Sequence, residues 1–108
     1  MTGVQTCALP IYRHTLQLDP AHVDAHVDLG NLLLEKGELT EAREHFEKAS
    51  EINPKLAQPH NYLGKVLMRE GNVSQAIAQF EEALRLHPDF PEAEQNLRMA
   101  KETSAQSP

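Results

Sequence analysis

Tryptophan is absent from this chain of 108 residues, and aromatic side chains make up only 5% of it. With so few large anchors the expected core is thin, although 40% hydrophobic content stands well above that of a disordered chain. Positive charge is also scarce, since ten Lys and Arg face sixteen Asp and Glu for a net charge of −6. Holding a phosphate backbone needs an excess or a concentrated stripe of cations, so nucleic acid is not an expected partner. Long apolar runs are missing too: the stretch from Leu29 to Leu34 is broken by Gly30 and Asn31. That falls far short of the roughly 20 residues a membrane span requires, so no membrane insertion is expected and the chain reads as soluble. The length allows one small domain or a piece of something larger, not a multidomain enzyme. No nucleophile stands with its base, no glycine loop is built to cradle phosphate, and no carboxylate pair is set for acid–base work. No enzymatic activity and no cofactor are expected.

The first eleven residues, MTGVQTCALPI, carry no charge and no periodicity, and they join abruptly to a patterned segment at Tyr12. They resemble the in-frame translation of a widely used sequencing-adaptor oligonucleotide, with gtg read as the start codon. The resemblance implies that 1–11 are adaptor-derived and disordered. It also implies that upstream coding sequence, with any signal, anchor or enzyme domain, has been lost. Cys7, the one cysteine, lies inside this segment, so cysteine usage gives no reading of redox compartment or localisation.

What the remainder has is a repeat. Pro20, Pro54 and Pro88 stand 34 residues apart, and sliding 23–54 onto 57–88 superposes a series of identities. They are His26/His60, Leu29/Leu63, Gly30/Gly64, Leu33/Leu67, Gly37/Gly71, Ala42/Ala76, Phe46/Phe80, Glu47/Glu81 and Ala49/Ala83. Within each unit the apolar residues follow three-and-four spacing on either side of the second glycine, which is the pattern of two amphipathic helices. Gly37 and Gly71 fall where a first helix must stop, because glycine enters the left-handed region without a Cβ clash. Thr40 and Ser74 follow as candidate N-caps for the second helix, and Pro54 and Pro88 end it. The expected helices are 21–36, 40–52, 57–70, 74–86 and 90–102. Pro59 and Pro91 fit in first turns, where the missing donor would be unpaired anyway.

This pattern resembles the tetratricopeptide repeat (TPR), with His26, Leu29, Gly30, Leu33, Ala42, Phe46, Ala49 and Pro54 at the signature positions of one unit. His60, Leu63, Gly64, Leu67, Ala76, Phe80, Ala83 and Pro88 hold them in the next. Histidine replaces the more usual Trp, and Leu the more usual Tyr. The resemblance implies an all-α helix-turn-helix solenoid. Its expected parts are the end of a truncated repeat at 12–20, full repeats at 21–54 and 55–88, a capping helix at 89–102 and a flexible tail at 103–108. Arg98 and Lys101 stand where the repeats have Gly and Leu, giving the last helix the polar outer face a cap needs. Phe46 and Phe80 are expected to fill the gap between repeats, and truncating either is expected to cost about 3 to 5 kcal/mol. The half repeat at the N-terminal side leaves apolar surface uncovered, so marginal stability or self-association through that face is expected.

Family resemblance implies a protein-interaction scaffold that binds a peptide or protein partner along a concave groove lined by the first helix of each repeat. Carried onto this chain, the groove positions are Asp24, Val27, Asp28, Asn31 and Leu34, then Gln58, Asn61, Lys65, Met68 and Arg69, then Gln95 and Asn96. Lys65 and Arg69 lie one turn apart and suit a carboxylate or an acidic peptide, whereas Asp24 and Asp28 favour a basic segment. The family's carboxylate clamp for chaperone C-termini is not expected, because Asn31 fits one of its places while Val27, Tyr62, Glu92 and Asn96 occupy others. His22 and His26 have a one-turn chelating spacing, yet no third ligand stands at suitable distance in sequence. The Glu41, Glu44, Glu47, Glu51 series reads as a solvated convex face, with Glu44 and Lys48 at the favourable four-residue spacing. The alternative function is the regulatory or substrate-docking part of a larger enzyme whose catalytic domain lies upstream.

Overall fold

Two glycines place the sharpest turns in the chain. Gly37 and Gly71 have φ of 83° and 85°, a left-handed conformation that costs an L-residue roughly 1–2 kcal/mol and glycine very little. At each, two backbone bonds close the helix end: Gly37 N–H donates to Leu34 O and Glu38 N–H to Leu33 O, at 3.0 and 2.9 Å. Gly71 and Asn72 repeat them onto Met68 and Leu67 at 3.1 and 2.8 Å. This paired closure satisfies carbonyls that a helix end would otherwise leave open.

The computed structural model describes residues 2–106, with side chains over 8–106. Its described residues form six helices and no strand: α1 (Thr2–Leu18), α2 (Val23–Lys36), α3 (Leu39–Ile52), α4 (Ala57–Arg69), α5 (Val73–Leu86) and α6 (Pro91–Gln106). The chain divides into two compact units, Met1–Pro54 and Lys55–Pro108.

In the first unit α2 packs against both α1 and α3. Its core joins Ala25, Leu29 and Leu33 of α2 to Ala42, Phe46 and Ala49 of α3, all buried. The Phe46 ring lies over Gly30, where an added Cβ would sit 2.7 Å from its Cε1. The glycine is therefore a seat for the ring within its own repeat.

In the second unit α5 packs against α4 and α6, and α4 also touches α6. One cluster gathers Leu67, Ala76, Phe80 and Ala100, with Leu97 and Met68 at its edge. A second gathers Ala57, Ala83 and Ala93 against Leu84, Leu86 and Phe90. Phe80 lies over Gly64 as Phe46 does over Gly30, and it shares its cluster with Ala100 of the following helix. On α6 only Ala93 and Ala100 are buried, while Arg98 and Lys101 are exposed.

Several expectations are corrected. Thr40 and Ser74 are not N-caps: the caps are Glu38 and Asn72, neither with a side-chain capping hydrogen bond, and both hydroxyl residues lie inside the first turn. The glycine closure delivers the chain into the next helix at once, and Ala42 and Ala76 already donate to the carbonyls of Glu38 and Asn72. The segment expected to be disordered at 1–11 is helical from Thr2 onward, with Pro10 inside α1; Met1 lies outside the described residues. The 12–18 stretch is tied to its neighbours by Arg13 Nη1 donating to Glu41 Oε2 at 2.8 Å and by the Tyr12 hydroxyl on Asp28. The helix continues upstream from that anchored turn. The expected flexible tail is helical to Gln106, since no proline or glycine interrupts 92–106 and Thr103 Oγ1 donates back to Met99 O at 3.0 Å. Residues 107–108 lie outside the described residues.

Candidate functional site

The histidine pattern resolves into packing and capping. His22 is the N-cap of α2, its Nδ1 accepting the Ala25 N–H at 3.0 Å. His26, at the signature aromatic position, is 7% exposed. Its Nε2 lies 2.8 Å from Pro20 O and its Nδ1 lies 3.0 Å from His45 Nδ1 on α3. A carbonyl only accepts, so His26 Nε2 carries the proton and its Nδ1 accepts from His45 Nδ1–H. Both His26 nitrogens are thereby engaged. Burial, then the neighbouring His26, pushes the His45 imidazole below its ordinary value, against Glu41, whose carboxylate stands 3.7 Å from His45 Nε2. Repeat two makes the same cross-helix bond with a different partner, His60 Nδ1 to Gln79 Oε1 at 2.8 Å. Among the described residues no group of three or more metal-ligating side chains gathers.

Of the expected groove residues in the first unit, Asp24 and Asp28 are exposed and Asn31 is half-buried. Burial, with Asp24 one turn away, raises the Asp28 carboxyl, opposed by His22 and the Tyr12 hydroxyl. Val27 and Leu34 are 4% and 3% exposed and belong to the core. Because α2 packs against a helix on each side, its buried stripe is wider than a one-sided amphipathic helix needs, and these two positions fall within it.

In the second unit Gln58, Arg69 and Gln95 are exposed, while Lys65, Met68 and Asn96 are half-buried. Asn61 is 1% exposed, so it cannot meet a ligand directly. Instead its Oδ1 accepts a hydrogen bond from Asn96 Nδ2 at 3.0 Å, which ties α4 to α6. Lys65 Nζ lies 3.2 Å from Glu92 Oε2 and 5.2 Å from the centre of the Tyr62 ring, within cation–π range. Glu92, Tyr62 and Met99 stand beside these residues without belonging to the expected groove set. The spacing from Asn96 to Met99 puts both on one face of α6, a signal present in the sequence. The partnership of Lys65 with Glu92 depends on how α6 packs and carries no local signal.

An all-α array of glycine-turned helix pairs, each with a phenylalanine seated on a glycine, defines a helical-repeat protein of the solenoid class. Family models described as TPR or tetratricopeptide repeat match residues 11–44, 30–71 and 57–90. Together these matches run over most of the chain, and it belongs to the tetratricopeptide repeat family. No curated protein matches it in sequence. Among solved structures, a mutant O-GlcNAc transferase of Thermobaculum terrenum is 32% identical, with a TM-score of 0.83 over 85% of this chain and 18% of that one. A crystal structure of MamA is 21% identical, with a TM-score of 0.87 over 97% of this chain and 61% of that one. The chain thus spans under two thirds of either relative. The first TPR of Spaghetti (RPAP3), bound to an HSP90 peptide, is 18% identical, with a TM-score of 0.91 over 97% of this chain and 83% of that one.

Proposed function

We propose that this chain is a non-catalytic protein-interaction module that takes a peptide or protein segment on the open faces of the first helices of its repeats. The observation that carries the reading is the set of polar side chains that the first helices keep accessible although each buries seven residues. Second helices α3 and α5 each bury an alanine and phenylalanine stripe of three residues and leave Glu44, Glu47, Lys48, Glu81 and Arg85 exposed on their outer faces. First helices keep charged and amide side chains accessible, Asp24, Asp28 and Asn31 on α2 and Gln58, Lys65 and Arg69 on α4. Such a face offers hydrogen bonds and charge to an extended or helical segment. The bound peptide in the RPAP3 structure supports the reading by analogy of fold.

The test is a random peptide selection against the full chain, followed by amide chemical-shift mapping with a selected peptide. Shifts concentrated on α2, α4 and α6 are expected. Shifts confined to the outer faces of α3 and α5, or no binder at all, refute the reading.

A second reading is favoured by the 32% identity to part of a transferase: the repeats serve as the docking segment of a larger enzyme. Genomic sequence across the Tyr12 codon decides it, and the same sequence tests whether 1–11 derive from an adaptor. Self-association is the remaining proposal for partners. It rests on Ile11 and Leu18 of α1, which are 61% and 76% exposed, and mass in solution over a concentration series checks it.

A further inference from the structure

Where α4 and α6 meet in the second unit, Lys65, Met68, Arg69, Phe80, Asn96 and Met99 line an open pocket of about 190 Å³. Its composition is unusual for this chain. The overall charge is −6, yet the pocket's charged lining is two cations and no carboxylate. The rest of the wall is apolar or amide: the edge of the Phe80 ring, two methionines and Asn96. Met99 is 53% exposed, one of the few large hydrophobic side chains left open. Small-molecule sites usually occupy roughly 300–1,000 Å³, so this volume suits one bulky side chain of a peptide rather than a free metabolite. Methionine walls adapt to the shape of whatever enters.

Asn96 has a defined orientation here. Its Nδ2 donates to the buried Asn61 Oδ1, which leaves its own carbonyl to accept a peptide N–H. Asn61 is thus a positioning residue, acting through Asn96. Lys65 reaches Glu92 in a pair whose side chains are 36% and 51% exposed. Pairs that open to water contribute little, so a ligand carboxylate can replace Glu92 at small cost. Because screening extends only about 8 Å at physiological salt, the negative charge elsewhere on the chain does not override the two cations at the pocket.

We infer that this pocket is a side-chain subsite for an acidic peptide in which a bulky apolar residue, flanked by Asp or Glu, enters between Met68 and Met99 while its neighbours reach Lys65 and Arg69. The inference rests on the interaction-module reading above and specifies its partner class.

The test uses the full chain and a set of fluorescein-labelled peptides of one length. One carries a central Phe between acidic residues; in a second the Phe is Ser; in a third the acids are Lys. Anisotropy titration is expected to rank the first tightest, with each change costing at least about tenfold in Kd. Met99→Ser, at an exposed position, is expected to weaken the Phe peptide about tenfold and to leave the Ser peptide unchanged. Lys65→Glu with Arg69→Glu is expected to reverse the preference toward the Lys peptide, and far-UV circular dichroism of each variant confirms that the fold is kept. Equal binding of the three peptides, indifference to Met99→Ser, or no binding of the acidic Phe peptide overturns the inference. If these peptides fail while a random selection yields binders mapping to Asp24 and Asp28 on α2, the subsite falls and the interaction module stands. If no selection yields a binder, both fall.

Discussion

Replacing Gly64 by alanine tests the seat of Phe80 with opposing effects that can be separated. An added Cβ would lie 2.6 Å from Phe80 Cδ1 and 2.7 Å from Cζ, inside any tolerable carbon contact. The ring is 1% exposed, held among Leu67, Ala76 and Ala100, and has nowhere to swing. Forcing a methyl into a filled core costs about 1–3 kcal/mol, while exchanging glycine for alanine inside a helix returns about 1 kcal/mol. The net expectation is a loss of about 0–2 kcal/mol at Gly64. At Gly64 the nearest ring atom is Cε1, closer still, whereas at Gly30 the closest approach is 2.7 Å to Phe46 Cε1, and a smaller loss is expected there. The decisive comparison repeats Gly64→Ala in a Phe80→Leu background, where the obstructing ring edge is gone. There the alanine should be neutral or stabilising by up to about 1 kcal/mol. Urea unfolding followed by far-UV circular dichroism gives the free energies of the wild type, both single variants and the double variant. A coupling of about 1–3 kcal/mol is expected for groups in contact. Strict additivity, within about 0.5 kcal/mol, would show that the glycine does not serve the ring and would refute the packing argument.

Gly37 and Gly71 present the opposite case, since nothing lies within 4 Å of an added Cβ and only the positive φ resists. Alanine at either should cost about 1–2 kcal/mol regardless of what stands at Phe46 or Phe80; a thermal scan showing no loss would refute the backbone explanation. The His26–His45 pair predicts a pH dependence. His45 is held below its ordinary 6.5, so the unfolded chain binds more protons than the folded one. Its contribution to stability is complete above that value and is lost as pH falls through the folded pKa. Thermal midpoints measured from about pH 7.5 to about pH 5 should fall less in His45→Gln, which copies Gln79 of the second repeat, than in the wild type. An unchanged slope would remove the pair as its source. Glu41 is lowered chiefly by its bond from Arg13, so its contribution is present above its ordinary 4.5 and is lost only at lower pH. That pair is 48% and 35% exposed, and Arg13→Ala at neutral pH is expected to cost about 0–1 kcal/mol by the same urea assay.

Helix positions from α2 onward were legible in the sequence because the 34-residue spacing of Pro20, Pro54 and Pro88 overlays two copies of each signal. Both copies of the glycine turn came through for that reason. The helix starts after those turns were misassigned. Thr40 and Ser74 have N-cap chemistry, but the backbone bonds at Gly37 and Gly71 start the next helix before a side-chain cap is needed. The His22 cap was missed for the converse reason: imidazole is not among the strongly preferred N-cap side chains, and only geometry shows its Nδ1 over the Ala25 N–H. Site residues fared less evenly. Periodicity tells which helix face a residue occupies, but not how many neighbours cover that face. Val27, Leu34 and Asn61 were therefore read as open, whereas they are buried in helices packed on two sides. The helical state of 2–11 had no periodic signal to announce it.

The contact between Lys65 and Glu92 makes the chain its own weak competitor. An incoming carboxylate meets a lysine already answered by an internal acid, so a lone acidic residue gains little by exchange. A segment that also fills the space beside Met99 and reaches Arg69 gains what the internal glutamate does not provide. The tethered glutamate therefore leaves little net gain to ligands that offer charge alone and favours those that offer charge and shape together.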